Sequence, residues 1–395
     1  MWRVVVALCI AEVLTMLGVF AFPAALPTFL AEWSLSNTEA GWISGVYFAG
    51  YTVAVPILVG LTDRVDARRI YLFGAGTSAI SALGFALIAD GFWTAMMFRA
   101  LGGVGLAGTY MPGLRALVDR FDGPMQPRAI SFYTASFSLG TSASFLVVGE
   151  IVAAFDWRWA FAASGIAAAL GMALVATLLR PAKPLPPEQP THLLDYRPVL
   201  RNRPAMGYIL GYTVHCWELF AARSWAVAFL AFVAHSQGTE PGWSPTSVMT
   251  VAAVVAMVAS IVGADIAARL DRGRVIMTGM VLSAAAALAF GFSSSLPYVA
   301  VALLSIVHSA FIQADSAALT TGAVHSADAG RRGTTMALHS VLGFTAAFLG
   351  PLAVGVVLDL AGGANSAYAW AMAFASVSMV AMLGPLAILW SRRLP

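Results

Sequence analysis

A few ionisable side chains stand inside long apolar stretches of this chain, where they are placed to do chemistry. Glu12 sits in ALCIAEVLTML, Arg99 in AMMFRALGG, His215 and Glu218 in YTVHCWELF with Arg223 five positions on, and His308 and Asp315 in SIVHSAFIQADS. A charge at the centre of a bilayer costs on the order of 2.5–3.5 kcal/mol on insertion scales, so each is a candidate for function. Spacings of three and seven put His215 with Glu218, and His308 with Asp315, on shared helical faces. Arg223 stands about 140° round the helix from Glu218 and is not expected to pair with it. Glu218, Glu12 and Asp315 are carboxylates able to carry a proton. For Glu12 the alternative is to reach back toward the inner surface, and for Asp315 it is to pair with an arginine. Arg223 and Arg99 offer positive charge to a carboxylate or similar group, although Arg99 could equally make a helix contact. Tyr47 and Tyr51 share a face, Tyr133 stands near Ser136 and Ser138, and His339 completes the polar set. Taken singly, such residues are commonly packing residues. His192, His235 and His325 fall outside the apolar runs, and Cys9 and Cys216 read as packing residues, so neither a metal site nor a cofactor is expected.

The elements that must hold these residues follow from composition. Of 395 residues, 59% are hydrophobic and 10% charged, where soluble domains carry roughly 25% charged. Mean hydropathy is +0.81. A crossing takes about 20 apolar residues plus a turn, so the length suits about twelve helical passes. Long continuous apolar runs exclude the alternating pattern of a β-barrel. Helices are expected at 4–30, 38–60, 69–89, 92–117, 129–153, 159–179, 206–234, 246–268, 275–292, 297–321, 334–358 and 366–390. On that frame Glu12 is roughly 12 Å into the first helix, at 1.5 Å per residue, and Glu218 is near the midplane of the seventh. Ser36 with Glu39 forms a capping box, and Ser244 with Pro245 marks another helix start. The first apolar run is too long for a cleavable signal and is expected to stay as helix 1.

A net charge of +3 and a pI near 9.0 invite a polyanionic partner, but the distribution of charge argues otherwise. With the N-terminus inside, 19 of the 22 basic residues fall on that side, as the positive-inside rule requires. Both termini are therefore expected in the cytoplasm of a bacterial-type inner membrane, with lipid and no nucleic acid as surroundings. Residues 181–204 hold seven of the 19 prolines and read as a cytoplasmic strap between domains at 1–180 and 205–395. The halves look duplicated. Arg64 and Arg269 are 205 apart and also align Asp66 with Asp271, while Glu12 and Glu218, like Gly149 and Gly355, are 206 apart. Parallel six-helix repeats imply a pseudo-two-fold axis along the membrane normal.

On these residues the chain resembles a transporter of the major facilitator superfamily along essentially its whole length. Gly60, Asp63, Arg64, Arg68 and Arg69 look like that family's signature loop between helices 2 and 3. Arg99, Gly103, Gly105 and Ala107 resemble its helix 4 motif, and DWRWAF and RRGTTMAL resemble its entries into helices 6 and 11. The resemblance implies an all-α membrane fold of twelve helices in two pseudo-symmetric bundles, acting as a monomer on a small-molecule substrate. It also implies a latch at Asp63, facing a helix N-terminus of the other half; in the second copy Arg269 and Asp271 recur, but Ala268 replaces a matching residue. Gly102, Gly103, Gly105 and Gly108 allow close helix packing, and Pro351 is expected to bend helix 11. The implied function is secondary active transport of a small polar or anionic organic solute by alternating access. No nucleotide-binding motif is present, so ATP is not expected as the energy source. Helix 5 lacks the Gly-Pro motif usual in the family's exporters, which favours proton-coupled import or facilitated uptake. A proton-coupled efflux antiporter is the alternative, with a membrane enzyme or a non-transporting sensor further off.

Overall fold

The computed structural model describes residues 2–121, 123–182, 195–238 and 242–392. Among the described residues the regular structure is all helix, joined by short turns. Helix 1 is divided into α1 (Trp2–Met16), α2 (Ala21–Ala24) and α3 (Leu26–Glu32). Then follow α4 (Asn37–Leu61), α5 (Ala67–Ile88), α6 (Phe92–Val118), α7 (Gln126–Ala154) and α8 (Trp157–Leu178). The expected strap falls mainly on 183–194, outside the described residues, and its far end forms the short α9 (Arg197–Arg201). Beyond it run α10 (Arg203–Ser236), α11 (Pro245–Arg269), α12 (Arg272–Gly291), α13 (Tyr298–Ala314), α14 (Ser316–His325), α15 (Arg332–Leu360), α16 (Ala367–Ala381) and α17 (Leu383–Arg392).

Counting α13–α14 and α16–α17 as one each, ten helices among the described residues are long and apolar enough to cross a membrane. The other two crossings are the interrupted α1–α3 and α6, which is 27 residues long but rich in glycine and carries Arg99 and Arg115. Both predicted helix starts take the expected form. Ser36 N–H donates to Glu39 Oε2 at 2.9 Å while Glu39 N–H donates to Ser36 Oγ at 3.2 Å; Ser244 Oγ accepts from Ser247 N–H ahead of Pro245.

Helix 1 is not the continuous element expected over 4–30. Pro23 lacks the N–H that would bond the Val19 carbonyl, so an unbroken helix would leave that oxygen orphaned in lipid. Helix 12 divides in the same way, because Pro385 cannot bond the Ala381 carbonyl. The division of helix 10 at Asp315 has no proline behind it; there the carboxylate accepts a hydrogen bond from its own backbone N–H, the local competition that unsettles Asp within helices. Helix 11 runs on through Pro351 as α15.

Two compact units cluster out of this set, Met1–Trp33 with Val46–Glu188, and Ser34–Gly45 with Gln189–Pro395. Ser34–Gly45, the start of α4, groups with the second unit rather than falling within a first domain of 1–180. Asp359 at the end of α15 accounts for this. Its Oδ1 accepts from Asn37 N–H and Nδ2, at 3.1 and 2.7 Å, and its Oδ2 from Thr38 N–H and Oγ1, at 2.8 and 2.6 Å.

In the first unit α4, α5 and α6 approach closely through glycine. A Cβ on Gly74 would lie 2.6 Å from Gly108, and one on Gly103 would collide with the Tyr47 carbonyl. Phe29, Phe85, Trp157 and Phe161 form its aromatic core, with Phe85 and Phe161 stacked at 3.9 Å. The second unit has its own aromatic core of Trp225, Phe229, Phe290, Trp370 and Phe374.

Candidate functional site

Four titratable side chains meet inside the second unit. His308 Nε2 lies 3.0 Å from Glu218 Oε1, and Ser283 Oγ donates to Glu218 Oε2 at 2.9 Å. His215 Nδ1 lies 2.8 Å from Asp315 Oδ1, within ion-pair distance, although neither atom closes a well-directed hydrogen bond. All four side chains are at most 4% exposed. They come from α10, α13 and the break between α13 and α14, with Ser283 from α12.

Helical spacing builds this arrangement from α10, where Tyr212, His215 and Glu218 recur every three residues along one face. Tyr212 stacks on His215 at 5.6 Å and on His339 of α15 at 3.8 Å. His308 borders the aromatic core, 6.1 Å from the ring of Phe290, so apolar rings close one side of the imidazole. An imidazole and a carboxylate this close, away from water, can hold one proton between them.

His308 and Asp315, placed on one face by their spacing, take different partners. The helix ends at Ala314, so the periodicity that would align them does not continue to Asp315. Asp315 meets His215 and not an arginine. Arg223 is buried farther along α10.

In the first unit the embedded charges are held separately. Arg99 Nη1 donates to the Gly18 carbonyl at 3.0 Å and Nη2 to the Val19 carbonyl at 2.9 Å, while its guanidinium lies over the Tyr47 ring at 4.3 Å. Its hydrogen-bond partners are thus carbonyls at the break in helix 1, a helix contact of the kind its position allowed. Ser144 completes the repair, donating to the Leu17 carbonyl at 2.6 Å and accepting from Phe20 N–H at 3.1 Å. Beside Arg99 a cavity of about 20 Å³ is bordered by Tyr47, Thr15, Ser78 and Ser81, space for a single water. Tyr51, on the same face of α4 as Tyr47, is buried against α6. Glu12 is fully buried, with Oε2 2.9 Å from Tyr133 Oη, so it does not reach for the surface.

The loop expected to form a latch is organised by an acid that spacing alone did not single out. Asp66, the N-cap of α5, accepts from Arg68 N–H at 3.0 Å, from Ala182 N–H at 2.9 Å and from Arg120 Nη2 at 2.6 Å. Burial would push its carboxyl up, but these hydrogen bonds, led by Arg120, hold it below its ordinary range. Asp63 lies 3.8 Å from Arg115, and Arg68 bonds the Ala176 carbonyl at 2.7 Å. The second copy repeats the scheme. Asp271, N-cap of α12, accepts from Arg274 N–H at 2.7 Å and from Arg392 Nη2 at 2.6 Å, and Arg269 pairs with Asp265 at 2.9 Å. The signal that could have found Asp66 was present: it aligns with Asp271, and both stand where a helix needs an N-cap. Among the described residues no group of three His, Cys, Asp or Glu side chains is arranged to hold a metal ion.

An all-helical, multi-pass membrane protein with titratable groups buried at depth is the class these features define. Residues 8–239 match the profile of the Major Facilitator Superfamily, and the chain belongs to that family, whose members are transporters rather than enzymes. It is 27% identical over 191 residues to an uncharacterized MFS-type transporter of Mycobacterium tuberculosis, covering 48% of this chain and 32% of that protein. It is 25% identical over 178 residues to protein spinster homolog 1 of Xenopus laevis, covering 45% and 33%. The chain thus spans about a third of the length of these relatives. Its fold is shared, at a TM-score of 0.78 and 16% identity over 98% of this chain and 96% of the other, with a bacterial homologue of the human lysosomal transporter Spinster in an inward-facing and occupied conformation.

Proposed function

We propose that the protein moves a small polar or anionic organic solute across a membrane by alternating access, with a proton as the coupling ion and import or facilitated uptake as the direction. The observation that carries this reading is the set of two imidazole–carboxylate contacts, Glu218–His308 and His215–Asp315, buried together in the second unit. Retaining four titratable groups at membrane depth is costly, and their chemistry suits taking a proton from one side and releasing it to the other. Family membership supports the transport cycle, and the occupied conformation described for the structural relative supports a fold that holds a guest. The arginine-rich loops after α4 and α11 fit a cytoplasmic face, with both termini on that side, and the Asp63 loop would act there as a latch.

A thermal-shift screen of organic anions, zwitterions and cationic drugs on the purified protein would select a solute. Its labelled form is then followed into proteoliposomes with and without a pH gradient. Accumulation that follows the gradient supports coupled uptake. Uptake that only equilibrates supports facilitation, gradient-driven expulsion supports the antiporter, and no movement of any stabilising solute removes the transport reading.

A further inference from the structure

Among the described residues, Glu12 is the buried acid that has neither an arginine nor a histidine beside it. It is fully buried in α1, with no arginine, lysine or histidine in ion-pair contact, and its Oε1 has no hydrogen-bond partner. Its other oxygen meets only Tyr133 Oη, at 2.9 Å. That hydroxyl also lies 3.2 Å from the Thr109 carbonyl and 3.1 Å from the Tyr110 carbonyl. Three acceptors therefore surround a phenol with a single proton to give.

The count can be closed in only one way. If Glu12 were ionised, Tyr133 would have to turn its proton to the carboxylate, leaving a buried charge with one hydrogen bond and no counter-ion. An uncompensated buried charge of that kind is strongly unfavourable. If Glu12 carries a proton on Oε2, it donates to Tyr133 Oη, and Tyr133 in turn donates to one of the two α6 carbonyls. Every proton then has an acceptor, and Oε1 is left as an ordinary carbonyl-type oxygen rather than half of a bare anion.

None of the surrounding groups donates to Oε1, and none brings a positive charge into contact with the carboxyl. The titratable neighbours are Tyr133 from α7, Tyr71 from α5, Tyr110 from α6, Tyr47 from α4 and Cys9 one turn back on α1, none of them cationic. From α8, Gly171 packs against Ala11 and Thr15; that helix's one titratable residue, Arg158, stands at its opposite end over the ring of Trp157. Arg99 is engaged with the break in helix 1.

We infer that Glu12 is a proton-binding site in the first unit, held in its protonated form in this conformation by burial without a counter-ion, hydrogen-bonded to Tyr133, and separate from the imidazole–carboxylate set of the second unit. It becomes an anion only when a hydrogen-bond donor gains access to Oε1. The inference stands on hydrogen-bond accounting and does not depend on the transport reading, though it would give such a transporter a proton site in each unit.

Infrared spectroscopy of the purified protein at neutral pH tests it without any substrate. The wild type should show the carbonyl stretch of a protonated carboxylic acid, sensitive to exchange into D₂O. That band should vanish in Glu12→Gln, persist in Glu218→Gln, and move in frequency in Tyr133→Phe. Should Glu12→Gln fail to fold, the Tyr133→Phe shift decides alone. A wild-type spectrum with no contribution lost in folded Glu12→Gln, or a band that Tyr133→Phe leaves unmoved, overturns the inference, whatever uptake experiments report.

Discussion

Asp66 caps α5, bonds a backbone amide beyond α8 and pairs with Arg120 across the unit. Replacing it with alanine should remove an N-cap, on the order of 1–2 kcal/mol, together with the Arg120 contact. Because its folded carboxyl is held below the ordinary range, its contribution is present above the unfolded value of about 3.9. It is lost as pH falls through the lower folded value. Melting curves in detergent should therefore show Asp66→Ala less stable than the wild type at pH 7, with the two converging as the pH falls well below the unfolded value. A gap that persists in acid would mean that packing, not the carboxylate, is responsible. At this scale the sequence is informative about which residues matter and poor at saying what they touch. Glu12, Glu218, His215 and Asp315 announce themselves because a charge in an apolar run needs a reason. The partners Ser283, Ser144 and Tyr212 do not, because hydroxyls and aromatics are ordinary within membrane helices, and only tertiary packing singles these out.

The elements divide between those that local chemistry fixes and those that depend on neighbours. Pro23 and Pro385 interrupt their helices for a reason visible in the residues themselves, yet the apolar run around Pro23 reads as continuous to any hydropathy window. The break at Asp315 is different, since an aspartate is often tolerated in a helix and here its carboxylate competes for its own backbone N–H while it meets His215. Close packing is the other element-level constraint. Gly103 on α6 lies against the α4 backbone, and a methyl group there would collide with the Tyr47 carbonyl, whereas Gly91, just before α6, has nothing within 4 Å. Gly103→Ala should lower folded yield and melting temperature by the equivalent of roughly 1–3 kcal/mol, the usual cost of overpacking, while Gly91→Ala should behave as the wild type. Equal behaviour of the two variants in size-exclusion and thermal assays would contradict the described approach of α4 and α6.

Across the whole molecule, glutamates 206 residues apart in helices 1 and 7 keep different company. Glu12 has a phenol, and Glu218 has an imidazole and a serine hydroxyl. The helical class was legible because long apolar runs survive along a single chain. The division of labour was not, because it depends on which side chains meet across α10, α12 and α13. If the Glu218–His308 pair couples proton movement to solute movement, uptake by Glu218→Gln in proteoliposomes will reveal it. The variant should melt close to the wild type and bind the screened solute, but lose at least about tenfold of its gradient-driven accumulation, a barrier change of roughly 1.4 kcal/mol or more. Accumulation that follows the pH gradient as strongly in Glu218→Gln as in the wild type would show that Glu218 does not couple the two movements.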